Sequence, residues 1–242
     1  MKNKILKISI MRSVMICLII SDMHNMKAQN LPTSTYGLPF INSISLYQKS
    51  LLNHPEKQMI PLSRIPEIIL DLRYATKNNF MGKNMYPENT KETYLRRPVF
   101  MALDSVAMDF ARKGICLIIY DAYRPYFVTE AFWDSIKDEH YAANPAKGSG
   151  HNRGISVDLG LADIDTHRPL PMPTTFDNFT DTAHQDFSGI DATRILNRKL
   201  LKQVMEKYGF IPLSTEWWHF SWNDAADFEI LDLNFQQLST LK

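Results

Sequence analysis

A chain of 242 residues carries 27 basic and 26 acidic side chains, a formal net charge of +1, with 45% hydrophobic and 22% charged residues. That composition belongs to a folded globular protein and excludes disorder, collagen and coiled coil, while the balanced charge offers no electrostatic footprint for nucleic acid or an anionic membrane surface. The 9 glycines include no GxGxxG or GxxxxGK[ST] spacing, which argues against a dinucleotide or P-loop enzyme, and the 2 cysteines, Cys17 and Cys116, can build neither a disulfide framework nor a four-thiolate zinc site.

In chain order, Lys2, Lys4, Lys7 and Arg12 precede the apolar run Val14 to Ile20. A basic segment followed by a short apolar core predicts a secretory signal peptide over residues 1–28, with cleavage after Ala28. The core is well below the ~20 residues that span a bilayer, so the mature chain is expected to be exported, periplasmic or otherwise extracytoplasmic, without stable membrane insertion. Met15 and Ile16 before Cys17 lack the small residues of a lipidation signal. Residues 29–64 read as an N-terminal lead-in, irregular over 30–45, and residues 65–242 as one domain.

Glu67 to Tyr74 form a β-type run, and residues 75–93 read as loop. Val99, Leu103, Val106 and Phe110 recur at helical spacing until Gly114, and Ile115 to Tyr120 is an apolar run of a buried strand. A helix over Phe127 to Ile136, a loop over 141–150 and a strand over Ile155 to Leu161 follow. Pro169 to Gly189 is a long polar segment of the kind that compact domains keep for function or leave disordered. Ile195, Leu196, Leu200, Val204, Met205 and Tyr208 predict an amphipathic helix stopped by Gly209, and Glu216 to Trp222 a last strand. The expected class is α+β: helices packed on a small, mostly antiparallel sheet.

Two segments concentrate chemistry, Ser149-Gly-His-Asn-Arg-Gly-Ile-Ser-Val-Asp158 and Glu216-Trp-Trp-His219. Together they supply two imidazoles and two carboxylates. Two imidazoles and one carboxylate hold zinc well, with a fourth position left for water, and a further carboxylate can take a proton from that water. Copper or iron could use the same ligands. Odd separations put His151 and Asp158, and Glu216 and His219, on opposite faces of any regular strand. His151 is therefore expected on a loop, with Gly154 turning the chain into the strand, and Glu216 at a strand entry.

The S-x-H-x-x-G-x-x-x-D and E-x-W-H pair resembles the zinc D-alanyl-D-alanine dipeptidases, the VanX-type family related to zinc D,D-carboxypeptidases. Asp71 to Gly82 resembles the family's early tyrosine-containing segment, Tyr120-Asp-Ala-Tyr-Arg-Pro125 its arginine motif, and Phe176-Asp177 an aspartate of its long loop. The resemblance covers about residues 65–222 in order. It implies a mononuclear zinc site, one Zn2+ per chain, with His151, Asp158 and His219 as ligands. Glu216 would be general base and then acid, and Arg124 would stabilise the oxyanion. Asp177 would meet the substrate ammonium, Ser149 and Tyr74 would line the dipeptide pocket, and Phe132 lies nearby. The chain departs from the pattern at Gly150, where the best-known members have a second Ser, and at Ala122, where they have Gly.

The expected activity is zinc-dependent hydrolysis of D-Ala-D-Ala through a metal-activated water, in cell-wall dipeptide turnover. The expected partner is a small D,D-dipeptide, with no nucleic acid and no obligate protein partner. Two alternatives stand beside it: a peptidoglycan D,D-carboxypeptidase or endopeptidase on the same site, and a zinc-stabilised binding module without catalysis. Among the bland readings, Arg124 could be a structural partner of Asp121, and Asp181 or Asp186 could take the place of Asp177. Trp217, Trp218 and Trp222 read as core, His167 and His184 as solvent-facing, and Cys116 as an inert buried thiol.

Overall fold

The computed structural model describes residues 31–139, 142–222 and 228–241. The signal peptide expected over residues 1–28, and Cys17 with it, lies outside the described residues. The compact unit runs over Thr33–Lys242. Its first elements fall in the segment read as a lead-in: β1 (Phe40–Ile41), α1 (Ile44–Ser50), capped by the Ser43 hydroxyl, and β2 (Met59–Pro61). These strands are too short to leave a period in the sequence, yet both are paired in the fold.

β3 (Ile68–Leu70) is what remains of the β-type run, because Glu67 before it is left-handed (φ 53°) and Arg73–Ala75 form a single tight turn. The loop that follows ends at β4 (Tyr94–Arg96), which pairs antiparallel with β2. α2 (Arg97–Ala111) buries the predicted stripe of Val99, Leu103, Val106 and Phe110 completely. At roughly 1.5–3 kcal/mol for each large apolar side chain, this stripe anchors the helix to the sheet. Gly114 then adopts φ 71°, where a side chain would be strained.

β5 (Ile115–Asp121) is apolar up to Tyr120 because it is a central strand. α3 (Tyr126–Ile136), the one-turn α4 (Gly150–Arg153) and β6 (Ser156–Asp163) follow. α5 (Ala192–Lys207), β7 (Phe210–Pro212), β8 (His219–Trp222), β9 (Ile230–Leu231) and α6 (Phe235–Ser239) complete the described elements. The main sheet has the order β3-β5-β6-β8-β7. Only its β3–β5 pairing is parallel, and its other pairings are antiparallel. β9 lies parallel to β1, so the C-terminal region closes on the N-terminal one. The protein is α+β, helices packed on a small and mostly antiparallel sheet.

Three details correct the sequence reading. His151 sits on a helical turn rather than a loop, although Gly154 (φ 70°) does turn the chain into the strand. The last strand begins only at His219, since the residues before it form a turn that lifts Glu216 out of the pleat. The predicted apolar face of α5 is incomplete: Leu196 is 65% exposed, whereas Arg198 is 3% exposed. Trp217 and Trp218 are core residues and Cys116 is a buried thiol, while Trp222 is half-buried against the Phe210 ring. His167 is exposed and His184 half-buried. Among the described residues no helix is long and apolar enough to cross a membrane.

Candidate active site

Antiparallel register brings the first pair of groups together. Asp158 on β6 stands opposite His219 on β8, and cross-strand partners point to the same face. Asp158 Oδ1 lies 2.8 Å from His219 Nδ1. His151 reaches the same spot from α4. The Ser149 hydroxyl caps that turn by accepting from the His151 N–H, and Asn152 closes the reciprocal bond. The His151 Nδ1–H donates to the Ala122 carbonyl at 2.7 Å, which leaves Nε2 free to point inward. Nε2 lies 3.2 Å from His219 Nδ1 and 3.5 Å from Asp158 Oδ2.

One ligand atom from each of His151, Asp158 and His219 lies within 4.8 Å of the others. Two imidazole nitrogens and a carboxylate oxygen, with the far nitrogen of His151 already fixed by a carbonyl, fit the donor set and outer support of a zinc site. Burial alone would raise the Asp158 pKa. The imidazoles of His151 and His219 facing it prevail and hold it well below the usual carboxylate range.

Glu216 occupies the turn before β8. Its backbone carbonyl accepts from Gln185 Nε2 at 3.2 Å, and the next residue, Trp217, donates its N–H to the Ala183 carbonyl at 2.9 Å. The long loop is itself held down, because Arg198 donates to the carbonyls of His184 and Phe187 at 2.9 and 2.7 Å. Burial pushes the Glu216 carboxyl up to about 7, with the nearby Asp158 charge adding to the rise.

Arg124 does pair with Asp121, donating from Nε and Nη2 to Asp121 Oδ2 at 3.0 and 2.8 Å. The pairing does not retire it from the site. Its guanidinium lies 5.2 Å from the Tyr74 ring centroid and 4.8 Å from that of Phe132, 4.0 Å from Asp158, and on the cavity wall. Burial opposes its charge, but Asp121 together with Tyr74, Tyr86 and Asp158 outweighs that and raises its pKa well above the ordinary value.

Tyr74 donates its hydroxyl to Asp177 Oδ1 at 3.2 Å. Asp177 Oδ2 is buried without any hydrogen-bond partner, and the residue is left-handed at φ 61°. Burial, reinforced by the Asp158 charge, pushes the Asp177 carboxyl up to about 8.

All of the residues predicted for the site line one cavity of about 270 Å³: the metal-ligand set and Glu216, with Arg124, Asp177, Ser149, Tyr74 and Phe132. That volume is just below the roughly 300–1,000 Å³ of ligand pockets. Asp181 and Asp186 do not line it.

Residues 56–239 match the family model described as Peptidase M15, D-ala-D-ala dipeptidase. The chain belongs to this family. It is 32% identical over 166 residues to the D-alanyl-D-alanine dipeptidase of Escherichia coli strain K12, covering 69% of this chain and 84% of the relative. The D-alanyl-D-alanine dipeptidase of Enterococcus faecium is 31% identical over 175 residues, 64% of this chain and 85% of the relative. Among solved structures, VanYB in complex with D-alanine-D-alanine aligns at 16% identity and a TM-score of 0.36 over 53% of this chain and 71% of that one. The LdcB LD-carboxypeptidase aligns at 19% identity and 0.38 over 80% and 88%.

The sequence reading of this peptidase-family chain left several site residues unassigned. Phe80, Phe179 and Leu213 also line the cavity; Phe80 lies in the Asp71 to Gly82 segment without being singled out by it, and no local motif marks Phe179 or Leu213. Gln185 and Arg198 are invisible for a different reason: their partners are backbone carbonyls, which carry no residue signature.

Proposed function

We propose that this chain hydrolyses the free dipeptide D-Ala-D-Ala in a zinc-dependent reaction, outside the cytoplasm, in the turnover of cell-wall dipeptide. The observation that carries this reading is the orphan oxygen of Asp177, buried in the same small cavity as the three convergent ligand groups and Glu216. An unpartnered buried carboxylate oxygen opposite such a centre suits a substrate that brings its own ammonium group. The names of the relatives support the substrate class.

One Zn2+ would be held by His151 Nε2, His219 Nδ1 and the Asp158 carboxylate, and when bound it supplies Lewis acidity and an acidified water. The chain's own groups do the rest. Glu216, with a carboxyl titrating at about 7, is poised to accept a proton near neutral pH and return it to the leaving amine. Arg124, held by Asp121, presents fixed positive charge where the carbonyl oxygen gains negative charge. Tyr74 occupies one oxygen of Asp177 and leaves the other for the ammonium. Ser149 and Phe132 line the remaining wall.

The reading is tested with Glu216→Gln. The variant should retain zinc yet release free D-alanine from D-Ala-D-Ala about 10²–10⁴-fold more slowly, the range that a general base supplies. Near-wild-type turnover by the folded variant would move the base elsewhere.

A further inference from the structure

The β6/β8 ladder pairs a second set of residues that the site described so far does not use. Two positions along from Asp158 and His219, Ser156 stands opposite Ser221, so the period of two puts both hydroxyls on the face that carries the ligands. The two oxygens are 2.7 Å apart. Ser221 Oγ also lies 3.1 Å from His219 Nε2, the nitrogen that faces away from the ligand cluster. Ser156 is fully buried.

Gly150 lies against the same pair. A Cβ built there would sit 1.9 Å from Ser156 Oγ, 3.1 Å from Ser156 Cβ and 3.5 Å from Ser221 Oγ. The Ser156 hydroxyl thus fills the space that any side chain at 150 would need. It could rotate away, but only by giving up its bond to Ser221 and burying a hydroxyl that needs a new partner.

We propose that Ser221 and Ser156 form a hydroxyl relay that holds the His219 ring with Nδ1 toward the metal, and that residue 150 is glycine because the relay occupies its side-chain space. The proposal rests on the reading of His219 as a zinc ligand. With His219 Nδ1 unprotonated to serve as a metal ligand, the remaining proton of the ring would be on Nε2. Nε2–H donates to Ser221 Oγ, and the Ser221 hydroxyl donates onward to Ser156 Oγ. Each of the two histidines then has its outward nitrogen fixed, His151 by the Ala122 carbonyl and His219 by the relay.

The test is zinc affinity, measured by competition with a chelating indicator on metal-stripped full chains whose folding is checked by thermal melting. Ser221→Ala should weaken zinc about 10–100-fold, the usual effect of removing a group that orients a ligand, and Ser221→Thr, which keeps the hydroxyl, should restore it. Gly150→Ala should also weaken zinc, and by clearly less in a Ser156→Ala background, where the obstructing oxygen is gone. These two Gly150 measurements decide the matter if Ser221→Ala fails to fold. Wild-type affinity in folded Ser221→Ala, or equal losses from Gly150→Ala in both backgrounds, overturns the relay. His219→Ala separates the two levels. Loss of zinc there with no effect of Ser221→Ala sinks the relay alone, whereas full zinc binding by His219→Ala sinks the metal site and the relay with it.

Discussion

The cavity has two walls built in opposite ways. The wall bearing His219 and Asp158 is a pair of antiparallel strands, with His151 on a capped turn beside it, and its ligand groups meet hydrogen-bonding partners within the protein. Another part of the lining comes from loops, with Tyr74 just after β3 and Asp177 in the segment between β6 and α5. There a left-handed aspartate keeps one oxygen unpartnered. A rigid sheet suits reacting groups that must stay in place. Loops suit the groups that choose a substrate, and an unsatisfied buried carboxylate is tolerable where a ligand can complete it.

The sharpest way to break this contrast is to remove the charge from the loop wall alone. Asp177→Asn should leave zinc content unchanged while lowering kcat/KM for D-Ala-D-Ala about 10–100-fold, corresponding to the roughly 1.5–3 kcal/mol of a hydrogen bond to a charged group. Unchanged kcat/KM, or loss of zinc, would erase the distinction between the walls.

A smaller effect should appear in stability. Asp177 titrates at about 8 against an ordinary 3.8, and Glu216 at about 7 against an ordinary 4.5. Both bind their protons more tightly when folded, so between the ordinary and the folded values the native state holds more protons than the unfolded one. Stability therefore falls as pH rises through those windows and is flat outside them. In the metal-free protein, Asp177→Asn and Glu216→Gln should raise the melting temperature at pH above 8 relative to wild type. The gain should be several degrees, larger for Asp177→Asn than for Glu216→Gln because its shift is larger, and it should vanish near pH 4. A gain of equal size at both extremes would show that charge burial is not its source.

The same contrast explains what the sequence disclosed. The sheet wall was legible because its candidate metal ligands lie in two short segments, and their odd spacing already required Glu216 to precede the pleat and His151 to leave the strand. The α2 stripe and the β5 run were equally clear, since burial there follows a single period. Strands as short as Phe40–Ile41 and Met59–Pro61 carry no period at all. The coupling of Gly150 to Ser156 and Ser221 depends on the register between β6 and β8, which no local spacing reveals. The burial of Arg198 within a helix read as amphipathic follows from two loop carbonyls that need donors.

A site completed by the ammonium of a free dipeptide must distinguish D-Ala-D-Ala from N-acetyl-D-Ala-D-Ala, and the zinc-loaded protein allows the two to be compared. Acetylation removes the positive charge and leaves Asp177 unpaired, a loss of about 1–3 kcal/mol or more for a charged group. The acetylated substrate should therefore be cleaved at least ~10-fold less efficiently, since about 1.4 kcal/mol is a factor of ten. Equal cleavage of the two would mean a site open at its amine end, and a carboxypeptidase or endopeptidase acting on longer peptidoglycan stems in place of the dipeptidase described.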